Sequence, residues 1–325
     1  MRRREFIRLL GGVTAAWPLA AQAQQAMPVV GVLGSATADE YAPMIATFLK
    51  GLSEAGYVQG KNVGLEYAWA DHHYDRLPML AGKLIERQVR IILAASTPSA
   101  LAAKSATSTI PVVFAIGGDP VGTGVVNSLN RPGGNVTGAA HMNVDTAPKR
   151  LELLHEILPG RRALGLLTNP KNSLTASIES GVGSAAEVLG VQLSTLHAST
   201  EEEIDAALRA AARGLVAGLV IGTDSLFTGR LKFLAAKSLQ FKVPTIYQYR
   251  DFVAAGGAMS YGGDIKDSYY HAGLYAGRIL RGEKPADLPV QLSTKVEFFV
   301  NLKTLKALGI EPPLALVSRA DEVIE

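Results

Sequence analysis

Hydroxyl, amide and carboxylate side chains recur in this chain directly after short apolar runs that are typical of buried strands. The clearest case is Ser96-Thr97-Pro98-Ser99, where hydroxyls coincide with a helix start that has proline in its first turn. The unpaired N–H groups of such a start favour a carboxylate. Asp119 and Asp224 follow other apolar runs, and either carboxylate is suited to an ammonium group. Together these residues predict a site for a small polar solute, such as a zwitterion with an apolar side chain.

Each of these residues also has a purely structural explanation. A serine, threonine or aspartate before a helix is commonly its N-cap, because its side chain satisfies a free N–H group. Asp119 precedes a proline and is suited to stabilising its own turn. Tyr247 and Tyr249 are equally suited to a core or an interface. Only the shared position of these residues at strand ends favours a ligand site.

Residue patterns for catalysis or metal binding are weak. Residues 71–75 (DHHYD) contain two adjacent histidines between a strand and a helix, which favours a solvated loop over a metal site. Residues 181–186 match a loose G-x-G-x-x-A, but they lie inside a helical pattern instead of at a strand-to-helix turn. The chain has neither a G-x-S-x-G nor a phosphate-loop motif. We therefore expect no enzyme activity, no cofactor and no metal.

Strands and helices alternate along the chain from residue 29, and the alternation restarts near residue 163. Alternation of this kind predicts parallel sheets that are covered by helices on both faces. We expect an α/β protein with two doubly wound, Rossmann-like lobes and a cleft between them. The predicted N-terminal lobe spans residues 27–140 and is completed by about 296–325. The C-terminal lobe spans 141–295.

Residues 1–23 have the layout of an export signal. Three arginines lead into an uncharged stretch at residues 9–21, and Ala21-Gln22-Ala23 matches a small-x-small cleavage site. Arg3-Arg4 followed by x-Phe-Ile-Arg is similar to a twin-arginine signal. A membrane anchor is the alternative, but the apolar run is shorter than the roughly 20 residues of a spanning helix. We expect cleavage after about Ala23 and a periplasmic location.

Composition narrows the possible partners. Residues 1–23 hold four of the 32 Lys and Arg and one of the 29 Asp and Glu, so the remaining chain has equal numbers of each. This balance argues against nucleic-acid binding, which needs a basic face. The chain has no cysteine, which excludes disulfides, thiolate metal sites and a lipid-modified N-terminal cysteine.

Several segments resemble one known family. Residues 118–121 (GDPV), continued by 125–138 (VVNSLNRPGGNVTG), look like the signature of ABC transporter substrate-binding proteins of the tryptophan-binding-like kind. Residues 256–262 (GGAMSYG), 284–291 (KPADLPVQ) and 301–310 (NLKTLKALGI) match as well. The resemblance spans essentially the whole chain after the leader.

The resemblance implies a type I periplasmic binding protein with three segments crossing between its lobes. It implies capture of an amino acid or a similar organic solute and delivery to an ABC permease with its ATPase, with the binding protein acting as a monomer. In this scheme Ser96 and Thr97 hold the carboxylate, Asp119 or Asp224 holds the ammonium, and Tyr247 or Tyr261 packs on the side chain. The cleft positions carried over are Ser35, Ser96, Thr97, Asp119, Asn169, Asp224, Tyr247 and Tyr261.

One stretch departs from the family pattern. Residues 139–143 read AAHMN, where relatives have a more apolar or serine-containing run. We expect His141 or Asn143, near the hinge, to alter the choice of ligand. An exported sensory ligand-binding module, or an α/β enzyme, remains the alternative function from sequence alone.

Overall fold

The computed structural model describes residues 27–293 and 295–325, and the predicted leader lies outside them. The elements up to residue 116 alternate between strand and helix, as the apolar patterns predict, and one more strand follows at 136–140 with no helix in the described residues just before it. They are β1 (Val29–Gly34), α1 (Ala38–Glu54), β2 (Gly64–Trp69), α2 (Leu77–Glu86), β3 (Ile91–Ala94), α3 (Thr97–Ala106), β4 (Val112–Ile116) and β5 (Val136–Ala140).

The alternation continues to the end of the chain. The remaining elements are α4 (Ala147–Glu156), β6 (Ala163–Thr168), α5 (Thr175–Leu189), β7 (Gln192–His197), α6 (Glu201–Ala210), β8 (Leu219–Ile221), α7 (Ser225–Gly229), α8 (Leu231–Gln240), β9 (Thr245–Tyr247), α9 (Arg250–Ala254), β10 (Met259–Gly263), α10 (Ile265–Leu280), β11 (Gln291–Leu292), β12 (Val296–Asn301), α11 (Leu302–Ala307), α12 (Leu314–Val317) and β13 (Glu322–Ile324).

The first sheet has the strand order β11-β5-β4-β3-β1-β2, and all its pairs are parallel. Strands β3 and β4 are wholly buried because helices cover both faces. One covering layer is the pair α1 and α10, which approach closely at Gly51 and Gly273. A Cβ at Gly273 would collide with the Phe48 carbonyl oxygen, so this contact requires glycine.

The second sheet has the order β13-β12-β10-β9-β8-β6-β7. Its pairs are parallel except β10 with β12, which are antiparallel with Ser260 opposite Phe299. Helices α4 and α5 cover one face and α6 and α8 cover the other, which buries two apolar clusters. Each lobe therefore has its own core on both sides of a sheet.

The strand pairing corrects the expected division of the chain. Residues 296–325 form β12 and β13 in the second sheet, so they do not complete the N-terminal lobe. That lobe is completed instead by α10, which packs on α1, and by β11, which pairs with β5. The tail has the expected strand–helix form, but its neighbour is decided by the long-range pairing with β10.

The chain crosses between the lobes three times, as the family resemblance implied. The crossings follow β5, follow β10 and lie between β11 and β12. Two doubly wound lobes joined in this way form the fold of the type I periplasmic binding proteins. No helix in the described part of the chain is long and apolar enough to cross a membrane.

Candidate ligand-binding cleft

A cavity lies between the lobes, where the carboxyl ends of strands from both sheets face each other. It has about 60 Å³ available to the centre of a water molecule and about 560 Å³ of empty space when its open mouth is included. The first lobe contributes residues after β1, β3 and β4, and the second contributes residues after β8 and β9.

The start of α3 forms one wall of the cavity. Ser96 is the N-cap, and its Oγ accepts a hydrogen bond from the Ser99 backbone N–H at 3.2 Å. Thr97, the first helical residue, is 2% exposed, and its Oγ1 has no hydrogen-bond partner among the described residues. A buried hydroxyl without a partner is unfavourable in the free protein, and this one lies at the positive end of the α3 dipole. This wall is suited to an anionic group such as a carboxylate.

Asp224, at the N-cap of α7, is buried in the opposite wall. Its Oδ1 accepts hydrogen bonds from the Leu226 N–H at 2.8 Å and from Asn169 at 3.2 Å. Its Oδ2 accepts from Asn172 at 2.6 Å and from the Tyr74 hydroxyl of the first lobe at 2.9 Å. Burial raises the pKa of Asp224, and these hydrogen bonds oppose that rise. Since a carboxylate has about four acceptor positions, these bonds saturate Asp224, and the bond from Tyr74 joins the two lobes.

A second contact between the lobes is a row of hydroxyl groups. The Tyr41 hydroxyl donates to the Ala95 carbonyl oxygen at 2.9 Å, so its oxygen accepts from Ser35 at 3.0 Å. The Ser35 oxygen in turn accepts from Ser225, on the second lobe, at 2.6 Å. Because each hydroxyl has one proton, Ser225 is left with only lone pairs for the cavity. This side of the cleft therefore accepts hydrogen bonds, whereas the α3 side can donate them.

A third contact between the lobes is a group of ion pairs around Glu40, which lines the cavity. Arg230 Nη1 lies 2.5 Å from Glu40 Oε1, and Arg230 Nε lies 2.6 Å from Glu201 Oε2. His72 Nε2 lies 2.8 Å from Glu40 Oε2. Burial alone would raise the pKa of Glu40, but His72 and the Thr37 N–H outweigh it and lower the pKa to about 2. Glu40 is therefore ionised and joins α1 of the first lobe to the second lobe.

The crossings are tied together beneath the cavity. Asn143 Oδ1 accepts from the Gly263 N–H at 2.7 Å, which links the first crossing to the second. The fully buried Arg150 donates to the Asn143 carbonyl at 2.9 Å, the Tyr261 carbonyl at 3.2 Å and the Thr146 hydroxyl at 3.0 Å. Burial lowers the pKa of Arg150 to about 10, so the guanidinium stays charged. These bonds give the hinge a defined geometry.

The eight residues expected in the cleft fall into three groups. Ser96, Thr97 and Asp224 line the cavity. Another three lie one layer behind the cavity wall, and each is hydrogen-bonded to the side chain of a residue that lines the cavity. They are Ser35, Asn169 and Tyr247.

The last two of the eight lie away from the cavity wall, contrary to the expectation. Asp119 Oδ1 accepts from the Val121 N–H at 2.8 Å, so its carboxylate stabilises its own turn. Tyr261, in the middle of β10, turns its ring to Phe298 in the core of the second lobe. Neither position supports the ligand contact that the resemblance implied.

Sequence reasoning missed the three lining residues of α1, which are Glu40, Tyr41 and Met44. Glu40 is the third residue of α1, and its side chain forms a capping box with Thr37. The signal that could have found Tyr41 is its position one turn into the helix that follows β1. Within residues 27–293 and 295–325, no three His, Asp or Glu side chains are grouped as metal ligands.

Comparison with known proteins identifies the family. The model of the ABC transporter substrate binding protein family matches residues 30–324. The chain belongs to this family. A curated relative, the tyrosine-binding protein of Clostridioides difficile strain R20291, is 29% identical over 265 residues, which cover 81% of this chain and 76% of that protein.

Solved structures share the same arrangement. A conserved domain protein from Vibrio cholerae is 27% identical with a TM-score of 0.83, over 91% of this chain and 99% of that one. An ABC domain from Streptococcus pneumonia in complex with L-Trp is 24% identical with a TM-score of 0.82, and the match also covers 91% of this chain and 99% of that one. A substrate-binding protein from Clostridium difficile in its ligand-free, open structure is 27% identical with a TM-score of 0.62. This match covers 92% of this chain and 99% of that one. The lower score against the open structure agrees with the direct contacts between the lobes described here.

Proposed function

We propose that this chain is the exported, periplasmic solute-binding component of an ABC importer, and that its solute is an amino acid. The observation that carries the proposal is the division of the cavity into two sides. The α3 wall offers the unpartnered Thr97 hydroxyl at the N-terminal end of a helix, whereas the facing wall offers the lone pairs of Ser225. A zwitterion has a carboxylate for the first wall and an ammonium group for the second.

Two further observations support an amino acid. The curated relative is a tyrosine-binding protein, and the streptococcal neighbour was solved with L-Trp. Tyr41, Met44 and Tyr249 also line the cavity, and they are suited to packing on an apolar side chain.

The mechanism is closure of the two lobes about the three crossings. A solute that contacts both walls binds the closed state more tightly than the open one and so shifts the population towards it. The closed monomer then delivers the solute to a membrane permease with its ATPase. Asp224, saturated by four protein donors, acts chiefly by holding this closed geometry, and Ser225 receives the ammonium group.

Thermal shift and calorimetric titration of the purified protein against the standard amino acids test the proposal. The tightest-binding amino acid should raise the melting temperature by mass action. Thr97→Val should weaken that binding about tenfold, because the carboxylate loses one hydrogen bond.

The matched variant Thr97→Ser should bind within about threefold of the unmodified protein, because it keeps the hydroxyl. Neither variant should lower the melting temperature of the free protein, since this hydroxyl bonds to no described residue. Failure of every amino acid to bind, or equal binding by Thr97→Val, would contradict the proposal.

A further inference from the structure

His141 lies at the floor of the cavity, at the end of β5, and is 3% exposed. Its Nδ1 lies 3.0 Å from Ser268 Oγ on α10, and its Nε2 lies 3.1 Å from the Tyr249 hydroxyl of the second lobe. Gly117 makes room for this ring, because a Cβ there would lie 2.8 Å from Nε2. Tyr249 also lines the cavity, so the imidazole joins a wall residue to the first lobe.

The position of each proton in this row follows from the hydrogen bonds. The Ser268 hydroxyl donates its single proton to the Ile265 carbonyl at 2.9 Å, so its oxygen accepts from His141 Nδ1–H. Burial lowers the pKa of His141 to about 3, and no carboxylate is hydrogen-bonded to the ring, so the imidazole is neutral. Nε2 then has only a lone pair, and the Tyr249 hydroxyl donates to it.

The orientation of the Tyr249 hydroxyl has a consequence for the solute. Its proton is held by His141, and burial raises the pKa of Tyr249 well above its usual value, so that proton is retained at neutral pH. The phenolic oxygen therefore has a lone pair, and no proton, for a solute atom that reaches it. A solute atom that meets this oxygen must bring an O–H or N–H group of its own.

Sheet topology separates this point from the wall that receives the carboxylate. His141 follows β5, and Thr97 follows β3, two strands away in the first sheet. In the proposed function Ser225 receives the ammonium group, so the Tyr249 oxygen on the floor of the cavity is left for the side chain of the solute.

We propose that His141 is a specificity-determining residue: it fixes the Tyr249 hydroxyl as an acceptor, so that the cleft prefers amino acids whose side chain carries a hydrogen-bond donor. This inference rests on the proposed function, because it names the side chain of the same solute. His141 acts through Tyr249 as a positioning residue. It distinguishes amino acids by their side chains, whereas the α3 wall binds the carboxylate that all of them share.

Nitrogen NMR of the histidine-labelled protein tests the proton arrangement without any solute. We expect His141 to show a protonated Nδ1 and an unprotonated Nε2, unchanged between pH 8 and pH 5, and the signals to be assigned by their loss in His141→Leu. An Nε2–H tautomer, or a ring that becomes charged in this pH range, would overturn the inference.

Matched pairs of amino acids test the selection, namely tyrosine with phenylalanine, threonine with valine, and glutamine with methionine. In the pair that contains the tightest binder, calorimetry should favour the donor-bearing member by about tenfold or more. Tyr249→Phe should reduce this ratio to about one. His141→Leu should also lower it, because the released Tyr249 hydroxyl can then donate.

The outcomes of these titrations are distinguishable. If both members of that pair bind equally to the unmodified protein, or if Tyr249→Phe leaves the ratio unchanged, this inference is wrong and the proposed function stands. If no amino acid binds, the proposed function fails and the inference fails with it.

Discussion

Replacing Glu40 with glutamine tests the ion pair that joins the lobes beside the cavity. Glutamine keeps the shape of the side chain and its capping bond to Thr37, but it removes the charge that faces Arg230 and His72. The pKa of Glu40 falls from 4.5 to about 2 in the fold, which corresponds to about 3 kcal/mol of stability at neutral pH. The lowering arises from His72 and from the Thr37 N–H, and glutamine keeps the Thr37 bond, so we expect a smaller loss of about 2 kcal/mol.

The direction of the pKa shift of Glu40 determines how this loss of stability changes with pH. A carboxyl group with a lowered pKa stabilises the fold fully above the unfolded value of 4.5, and the stabilisation is lost as the pH falls towards 2. Urea unfolding should therefore show a gap between the unmodified protein and Glu40→Gln that is full at pH 7 and less than half as large at pH 3. The control is Glu187→Gln, an exposed residue of α5 with no ion pair in the described part of the chain. Equal stability at pH 7, or a gap that does not change with pH, would refute the reasoning.

The remaining predictions concern packing, the hinge and the turn at Asp119. Gly273→Ala should lower the free energy of unfolding by about 2–4 kcal/mol through its collision with Phe48, whereas Gly183→Ala, in open space on a helix, should raise it by about 0.5–1 kcal/mol. Urea unfolding checks both, and equal effects would contradict the close packing of α1 on α10. Arg150→Met should cost about 3 kcal/mol and speed amide exchange in the crossings, because three oxygens lose their donor. Unchanged exchange would contradict the hinge account. Asp119→Asn should leave solute affinity within about twofold in calorimetry, and a tenfold loss would return Asp119 to the site.

The sequence was sufficient to predict the two α/β lobes because that information is local. The apolar run from Val29 became β1, and the restart of the alternation near residue 163 became β6. The partner of a strand is not local. The run at residues 296–301 predicted a strand, but only its pairing with β10 places it in the second lobe.

The difference between local and long-range information also explains which site residues were predicted. Ser96, Thr97 and Asp224 were found because a tight strand-to-helix turn leaves such residues at the carboxyl edge of the sheet. Tyr261 was misplaced because side chains alternate between the faces of a strand, and the register that decides its direction is set by the tertiary fold. Glu40 was missed because the prediction considered the residues at strand ends, whereas Glu40 lies inside α1.

A crystal structure of the protein with its tightest-binding amino acid tests the central claim most directly. The account predicts one solute between the lobes, with its carboxylate about 3 Å from Thr97 Oγ1 and its ammonium group facing Ser225. It also predicts that the side chain points towards Tyr249. A solute bound outside this cavity, or one whose carboxylate faces the second lobe, would contradict it.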